Sequence, residues 1–530
     1  MICLADIFQD GMVLQRGKKV RIWGTSDKKQ EIQVYLNEKE LLRDTVCGDF
    51  ELFLPPQDAM ENAVIRLVGK SVPENNGQTD QQRDEIRLVN VDFGEVWIAG
   101  GQSNMEFMLK YDASGDELIR NADDPHLRFF DVGEFCFEGE REEKLKFLAS
   151  HWDRWHFFEP EEAPYMSAVG IYYALKLRER LGVPVGIVGC NWGGTSASCW
   201  LPEEDLRQDP ELKVYMDEYD QAVFRIKDMQ TYIQKDKDYR TRTGSESAQH
   251  SSDNMLKNES LKPMNPFLKP LTGLFSAMHP MGPRHEWRPA GLYYTMQQRI
   301  AGFTCKGVIW YQGCSDDIHA RLYARLLTKL IARWREDWRE TLPFLFVQLA
   351  PFESWMNSTG ANYPVLRAQQ QYVADHVPDC YMASIMDIGS RFDIHPKNKK
   401  PVGERLSALA MHYVYQIAGE EEAYEAPRIS RIRREGPALR VKFDFAPDGL
   451  ELTAEESPFA GLEYLFRIWA DRKPVKASYT IVGDEILIHS PGIQEADEIC
   501  ISFANRPYEI VNLRAKGGFP ARPMPKKTVQ

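Results

Sequence analysis

Near the start of the chain, apolar and polar positions alternate with a period of two. Val20 and Ile22 flank a basic residue, Ile32, Val34 and Leu36 repeat the spacing, and Phe50, Leu52 and Leu54 repeat it again. A period of two sends successive side chains to opposite faces, so these stretches predict short, half-buried antiparallel strands. Gly24-Thr25-Ser26-Asp27 supplies turn residues between them, Asn75 to Asp80 reads as a polar loop, and the chain re-enters a strand at Ile86. Residues 1–92 are therefore expected to form a β-rich segment.

From about residue 93 the texture changes. Ile171, Ala174, Leu175, Leu177 and Leu181 recur at helical spacing, and Gly182 precedes a short buried strand, Val183 to Val188. Leu322 to Trp334 is another helical stretch and Phe344 to Leu349 another apolar strand. Helices interleaved with short apolar strands predict an α/β arrangement, a parallel sheet covered on both faces. Residues 203–265 interrupt the pattern. Pro202 to Lys237 is charged and predicted helical, whereas Thr241 to Asn258 is polar and reads as disordered, with a lid as the alternative. Toward the end Leu439, Val441, Phe443 and Phe445 alternate, and Ile486, Ile488, Ile499 and Ile501 sit in strand-like segments. The expected division is 1–92, 93–420 and 421–530, with the last part β.

A chain of 530 residues is too long for one core, and 43% apolar residues is ordinary for a globular protein. The net charge of −13 argues against nucleic acid and anionic membranes as partners. No apolar run approaches the roughly 20 residues that span a bilayer. The start, Met1-Ile2-Cys3-Leu4-Ala5-Asp6, shows no signal peptide, so a cytoplasmic location is expected. Nine scattered cysteines without a Cys-x-x-Cys pair fit neither a zinc site nor a disulfide framework. Gly100-Gly101 and Gly193-Gly194 lack the spacing of a phosphate cradle.

The most informative stretch is Gly94-Glu95-Val96-Trp97-Ile98-Ala99-Gly100-Gly101-Gln102-Ser103-Asn104-Met105, an apolar strand running through two glycines to a serine. Open α/β sheets bind ligands just past the carboxyl ends of such strands. Three further blocks follow in order: Asn191-Trp192-Gly193-Gly194-Thr195, Gly307-Val308-Ile309-Trp310-Tyr311-Gln312-Gly313, and Asp393-Ile394-His395-Pro396. Together they closely resemble the motif blocks of the sialate O-acetylesterase family, within the serine esterases called SGNH hydrolases. Met12-Val13-Leu14-Gln15-Arg16 and Pro343 to Leu349 also look like family segments, so the resemblance runs over nearly the whole chain.

The resemblance implies a three-layer α/β/α SGNH-hydrolase core with a parallel sheet, flanked by the N-terminal β-rich segment and a C-terminal β-sandwich-like domain. It implies removal of an acetyl ester from a sugar hydroxyl, with Ser103 as nucleophile and His395 as base. No metal or organic cofactor is implied. Oxyanion donors carried over from the family are the Ser103 N–H, Gly193 or Gly194, and a group in the third block, where Gln312, Gly313 and Asp316 lie. Family members usually read Gln-Gly-Glu-Ser-Asn there, but this chain reads Gln312-Gly313-Cys314-Ser315-Asp316. An ionised Asp316 only accepts hydrogen bonds, so Gln312 is the better donor. With the family glutamate missing, Asp393 is the natural partner for His395 and Asp387 the weaker one. The implied substrate is an acetylated sugar, small or oligosaccharide. Sialic acid is the closest, with acetylated xylan-type sugars or a non-catalytic carbohydrate-binding relative as alternatives.

Overall fold

The computed structural model describes residues 1–72, 83–140, 152–243, 253–260, 280–356, 358–417, 419, 423–454 and 461–529. The expected polar loop Asn75–Asp80 and half of the polar stretch Thr241–Asn258, residues 244–252, lie outside them. The fold is mixed α/β with a mostly parallel central sheet. The chain separates into two compact units, one holding residues 1–208, 283–310 and 329–344, the other 209–282, 311–328 and 345–530.

In the first unit, Val20–Leu36, Lys39–Leu54 and Met60–Ser71 form an antiparallel run that continues onto Arg83–Gly101. Gly24 to Asp27, expected as a turn, lies inside the strand Val20–Leu36 instead. The edge strand Ile2–Leu4 pairs there, and a Cβ on Gly24 would meet the Cys3 carbonyl oxygen at 2.1 Å, so glycine serves close approach of two backbones. The irregularity that the turn residues signal is a register shift between Ser26 and Gln30.

The 19-residue strand Arg83–Gly101 changes character along its length. Its first third is largely exposed or half-buried, and from Val91 onward every residue is buried. Past Phe93 it pairs in parallel with Val185–Asn191, which pairs in parallel with Asp124–Asp131. Gly307–Tyr311 is hydrogen-bonded along its other side. Val96, Trp97, Ile98 and Ala99 are wholly buried. At about 1.5–3 kcal/mol for each large apolar side chain, they fix the strand end from which Ser103 emerges. The helix Ala168–Leu181 covers this sheet with Ile171, Ala174 and Leu177 inward, and ends at Gly182 with φ +63°.

In the second unit, Lys213–Phe224 and Met229–Thr243 are helices, as expected for the charged part of the insertion. Phe344–Val347 and Cys380–Ala383 are neighbouring strands beside the helix Tyr363–His376. Beyond residue 428 the unit is nearly all β. One four-stranded sheet runs Arg428–Glu435, Ala438–Asp444, Glu485–His489, Ser478–Val482, and another runs Lys473–Val475, Phe466–Ala470, Ile499–Phe503, Met524–Thr528. Leu439, Val441, Phe443, Ile486 and Ile488 from the first sheet share one core with Ile468, Ile501 and Phe503 from the second. Among the described residues no helix is long and apolar enough to cross a membrane.

Candidate active site

Ser103 opens a short helix, Ser103–Glu106, directly after the buried strand. Two glycines make that placement possible. A Cβ on Gly100 would come within 2.7 Å of the Trp310 ring, and Gly101 takes φ +137°, a conformation that strains any other residue by about 1–3 kcal/mol. The Met105 and Glu106 N–H groups return to the Gln102 carbonyl at 2.7 and 3.1 Å, closing the turn around the serine.

The parallel register pairs Gly101 with Asn191, so the second glycine block leaves the sheet at the same edge. The Trp192 N–H donates to the Gly101 carbonyl, and the Asn191 side chain donates to the Ala99 carbonyl at 3.0 Å. Gly193 then lies against the nucleophile: a Cβ placed on it would be 3.3 Å from Ser103 Cβ and 3.1 Å from Glu106 Oε2. Gly194 has φ +75°, and the Trp287 indole occupies the space where its side chain would go. The structure thus brings Ser103, Gly193 and Gly194 together in the first unit.

Three residues there, Glu106, Asp131 and Trp287, carry no signal in the periodicity. Glu106 sits one helical turn from Ser103. Burial pushes its carboxyl up to about 7, with the Gly193 backbone N–H opposing the rise. Its Oε2 makes no hydrogen bond of ordinary geometry. Asp131, at the end of the neighbouring strand, is pushed well above its usual range by burial, then by Glu106 and Asp153. Trp287 donates its indole N–H to the Gly193 carbonyl at 3.1 Å. The three-residue spacing from Ser103 was the available clue for Glu106; nothing in the sequence marked Asp131 or Trp287.

The second unit holds Gln312, Gly313, Asp316, Asp393 and His395. Gly313 repeats the φ of +137° seen at Gly101, and Cys314–Asp316 forms a short 3₁₀ turn after it. Gln312 Nε2 donates to Asp316 Oδ2 at 2.6 Å, and Asp316 Oδ1 accepts from the Tyr215 hydroxyl at 3.2 Å. Tyr323 donates to the Gln312 side-chain oxygen at 3.0 Å. The expected donor and the residue replacing the family asparagine are therefore bonded to each other.

His395 is buried, and its ring meets the Trp355 ring edge-to-face at 5.2 Å. Burial, then the charges of Lys399 and Lys397, hold its pKa well below the ordinary histidine value, so the imidazole is neutral and able to accept a proton. Asp393 Oδ1 accepts the His395 backbone N–H at 2.9 Å and lies 3.7 Å from its Nδ1, while Oδ2 is 2.9 Å from Lys397 Nζ. Asp387 is committed elsewhere, in a two-pronged pair with Arg405 at 2.7 Å on each oxygen. Among the described residues no group of three His, Cys, Asp or Glu could hold a metal ion.

Residues 282–411 match the family described as carbohydrate esterase, sialic acid-specific acetylesterase. A solved structure described as a novel carbohydrate acetylesterase from Xanthomonas citri is 26% identical, covers 99% of both chains and superposes with a TM-score of 0.71. This chain is similar to carbohydrate acetylesterases. Sialate O-acetylesterase of Rattus norvegicus is 29% identical over 362 residues, 62% of this chain and 58% of that protein. The Homo sapiens sialate O-acetylesterase is 26% identical over 375 residues, 66% of this chain and again 58% of that protein. The match thus spans less than two thirds of the length of those curated relatives. For this carbohydrate-esterase relative, the family segment 282–411 contains Trp287, Gln312, Asp393 and His395, while Ser103 and Gly193 precede it.

Proposed function

We propose that the chain is an SGNH-type serine esterase that removes acetyl groups from sugar hydroxyls. Ser103 attacks the ester carbonyl and gives its proton to His395. The tetrahedral oxyanion is met by the Ser103 and Gly193 N–H groups, and the leaving sugar alkoxide takes the proton back from His395. Water then repeats the cycle on acetyl-Ser103. The observation that carries this reading is the placement of Ser103 past the buried end of a strand with the side-chain-less Gly193 against it; preorganised backbone N–H groups are the usual partners of such an oxyanion. A neutral, buried His395 supports it. We read 93–420 as the three-layer esterase domain and 1–92 and 421–530 as its β flanks.

Sialic acid is the proposed acetyl carrier, in keeping with the names of the curated relatives, and acetylated xylan-type sugars are the competitor. A second reading, a carbohydrate-binding relative without catalysis, draws on the third block, where Gln312 already donates to Asp316. One experiment separates these readings. The enzyme and its Ser103→Ala variant are assayed on O-acetylated sialic acid, acetylated xylo-oligosaccharides, p-nitrophenyl acetate and a long-chain ester. Acetate release that is confined to short acetyl esters and vanishes in Ser103→Ala supports the proposal. Sugar binding without acetate release overturns it in favour of the second reading.

A further inference from the structure

Trp287 is the odd residue of the site. It is 37% exposed, yet both of its ends are fixed. Its indole N–H is bonded to the Gly193 carbonyl, and its backbone N–H donates to His285 Nδ1 at 3.0 Å. The His285 ring, itself buried, packs 5.3 Å from the indole at 50°. A Cβ on Gly194 would come within 2.7 Å of the indole Cε2, Cζ2 and Nε1. Glycine at 194 therefore does two things: it permits φ +75° and it leaves the indole room to lie on the turn.

A fixed, partly bare aromatic ring beside a nucleophile is costly to the free protein, because it leaves apolar surface in water and holds a large side chain in one rotamer. The polar edge of the ring is already occupied by Gly193, so Trp287 has no donor left to offer a ligand. What remains is an apolar face, held one residue away from the glycine that contacts Ser103. A ligand suited to that face is flat and apolar on one side and hydroxylated around its rim. A pyranose ring has that shape, with axial C–H groups on one face and hydroxyls at the edge. Tryptophan is suited to such half-wet, half-apolar contacts.

We propose that Trp287 is the platform on which the pyranose ring of the acetylated sugar stacks, holding the acetylated hydroxyl over Ser103. This inference rests on the esterase reading and adds the subsite that selects a sugar over a bare acetyl ester. Because the face offers no hydrogen bond, it selects ring shape and hydrophobic C–H surface rather than one pattern of hydroxyls. Trp287→Ala removes both the face and the bond to Gly193, whereas Trp287→Phe keeps a face and removes only the bond.

The test compares kcat/KM on a mono-O-acetylated methyl glycoside with kcat/KM on p-nitrophenyl acetate, which carries no sugar. The ratio of the two is expected to fall about 10-fold in Trp287→Ala, mainly through KM on the glycoside, and less than about 3-fold in Trp287→Phe. A ratio unmoved in Trp287→Ala overturns the platform. So does a ratio that falls equally in both variants, because the bond to Gly193 and not the ring face would then be what matters. Binding of the deacetylated methyl glycoside to Ser103→Ala, followed by quenching of tryptophan fluorescence and its loss in the Ser103→Ala/Trp287→Phe pair, supports the platform without turnover. If Ser103→Ala still hydrolyses both substrates, the esterase reading fails, and this binding measurement still decides the platform.

Discussion

Two turns in this chain share one backbone device and use it differently. Each follows a buried strand, each places a glycine at φ +137°, and each continues into a short helical turn, at Gly101-Gln102-Ser103 and at Gly313-Cys314-Ser315. After the first, the neighbouring element is glycine, and the serine remains half-buried beside Gly193. After the second, side chains close the turn on themselves: Gln312 on Asp316, Tyr215 on Asp316, Tyr323 on Gln312. The backbone sets where a reactive group can stand. The side chains around it decide how the turn is closed.

The sharpest way to break this contrast is at the first turn. Ser103→Ala and His395→Ala are each expected to lower kcat by about 10⁴-fold or more, and the double variant should be scarcely worse than either, because nucleophile and base act as a unit. Steady-state kinetics on an acetyl ester measure this, and a double variant far below both singles contradicts the pairing. Next comes Asp393→Asn. If Asp393 orients the imidazole, an amide there should cost between about 10² and 10⁴ in kcat. Its 3.7 Å separation from Nδ1 leaves room to close when substrate binds. Activity within threefold of the parent would show that His395 works without it.

Gly193→Ala tests the geometry more gently. The new methyl would sit 3.3 Å from Ser103 Cβ and 3.1 Å from Glu106 Oε2, so the turn must shift by a few tenths of an ångström. A loss of about 10²-fold in kcat is expected if the Gly193 N–H is an oxyanion donor. Thermal unfolding checks that the fold survives.

Much of this was legible in the sequence, and what was not has physical reasons. The nucleophile turn and the Gly193 turn are glycine devices with close-approach demands, so they leave a mark in the residue types. Helices such as Ala168–Leu181 are marked by periodicity because one face is buried. The change of texture near residue 93 is a change of environment within one continuous strand, exposed early and buried on both faces later. Gly24 to Asp27 misled because glycine answers equally to turns and to a neighbouring backbone at 2.1 Å from its missing Cβ. Trp287 could not be found because its importance lies in contacts with Gly193 and Gly194, distant from it in the sequence, whereas Glu106 left only its three-residue spacing from Ser103.

Glu106 adds a pH dependence to the first turn. Its carboxyl, raised to about 7 by burial, is neutral below that pH and charged above it. A carboxylate beside Ser103 and Gly193 opposes the negative charge that develops on the oxyanion, so kcat/KM should fall as pH rises through about 7. On the acid side, the depressed His395 pKa keeps the base active well below pH 6.5. Glu106→Gln should flatten the alkaline limb and leave the acid limb in place. Stability follows the same sign. The unfolded glutamate loses its proton near 4.5 while the folded one keeps it to about 7. Folding is thus progressively disfavoured across that window, and the melting temperature of the parent should drop relative to Glu106→Gln between those pH values. A parallel pH course for the two proteins contradicts the assignment. Asp131 and Asp153, with Arg299 paired to Asp153 at 2.7 Å, are the other charged groups of this region and remain in both.

The smallest effect is expected at the second turn. Cys314 stands where the resemblance implies a glutamate, and it is buried close to Tyr311 and Tyr363, both of whose hydroxyls are pushed well up by burial and then by this thiol. A thiol so enclosed is a packing group and is not exposed for nucleophilic attack. Cys314→Ala should leave kcat/KM within about twofold and cost about 1 kcal/mol of stability for the atom removed. The contrast between the two turns predicts this asymmetry: removing one Oγ at Ser103 abolishes the reaction, while removing one Sγ at Cys314 is nearly silent. Iodoacetamide sharpens it further. Inactivation that substrate prevents, together with an active Asp393→Asn enzyme, would move the reactive group to the second turn and return the search for a histidine partner to Asp387 or to a dyad without one.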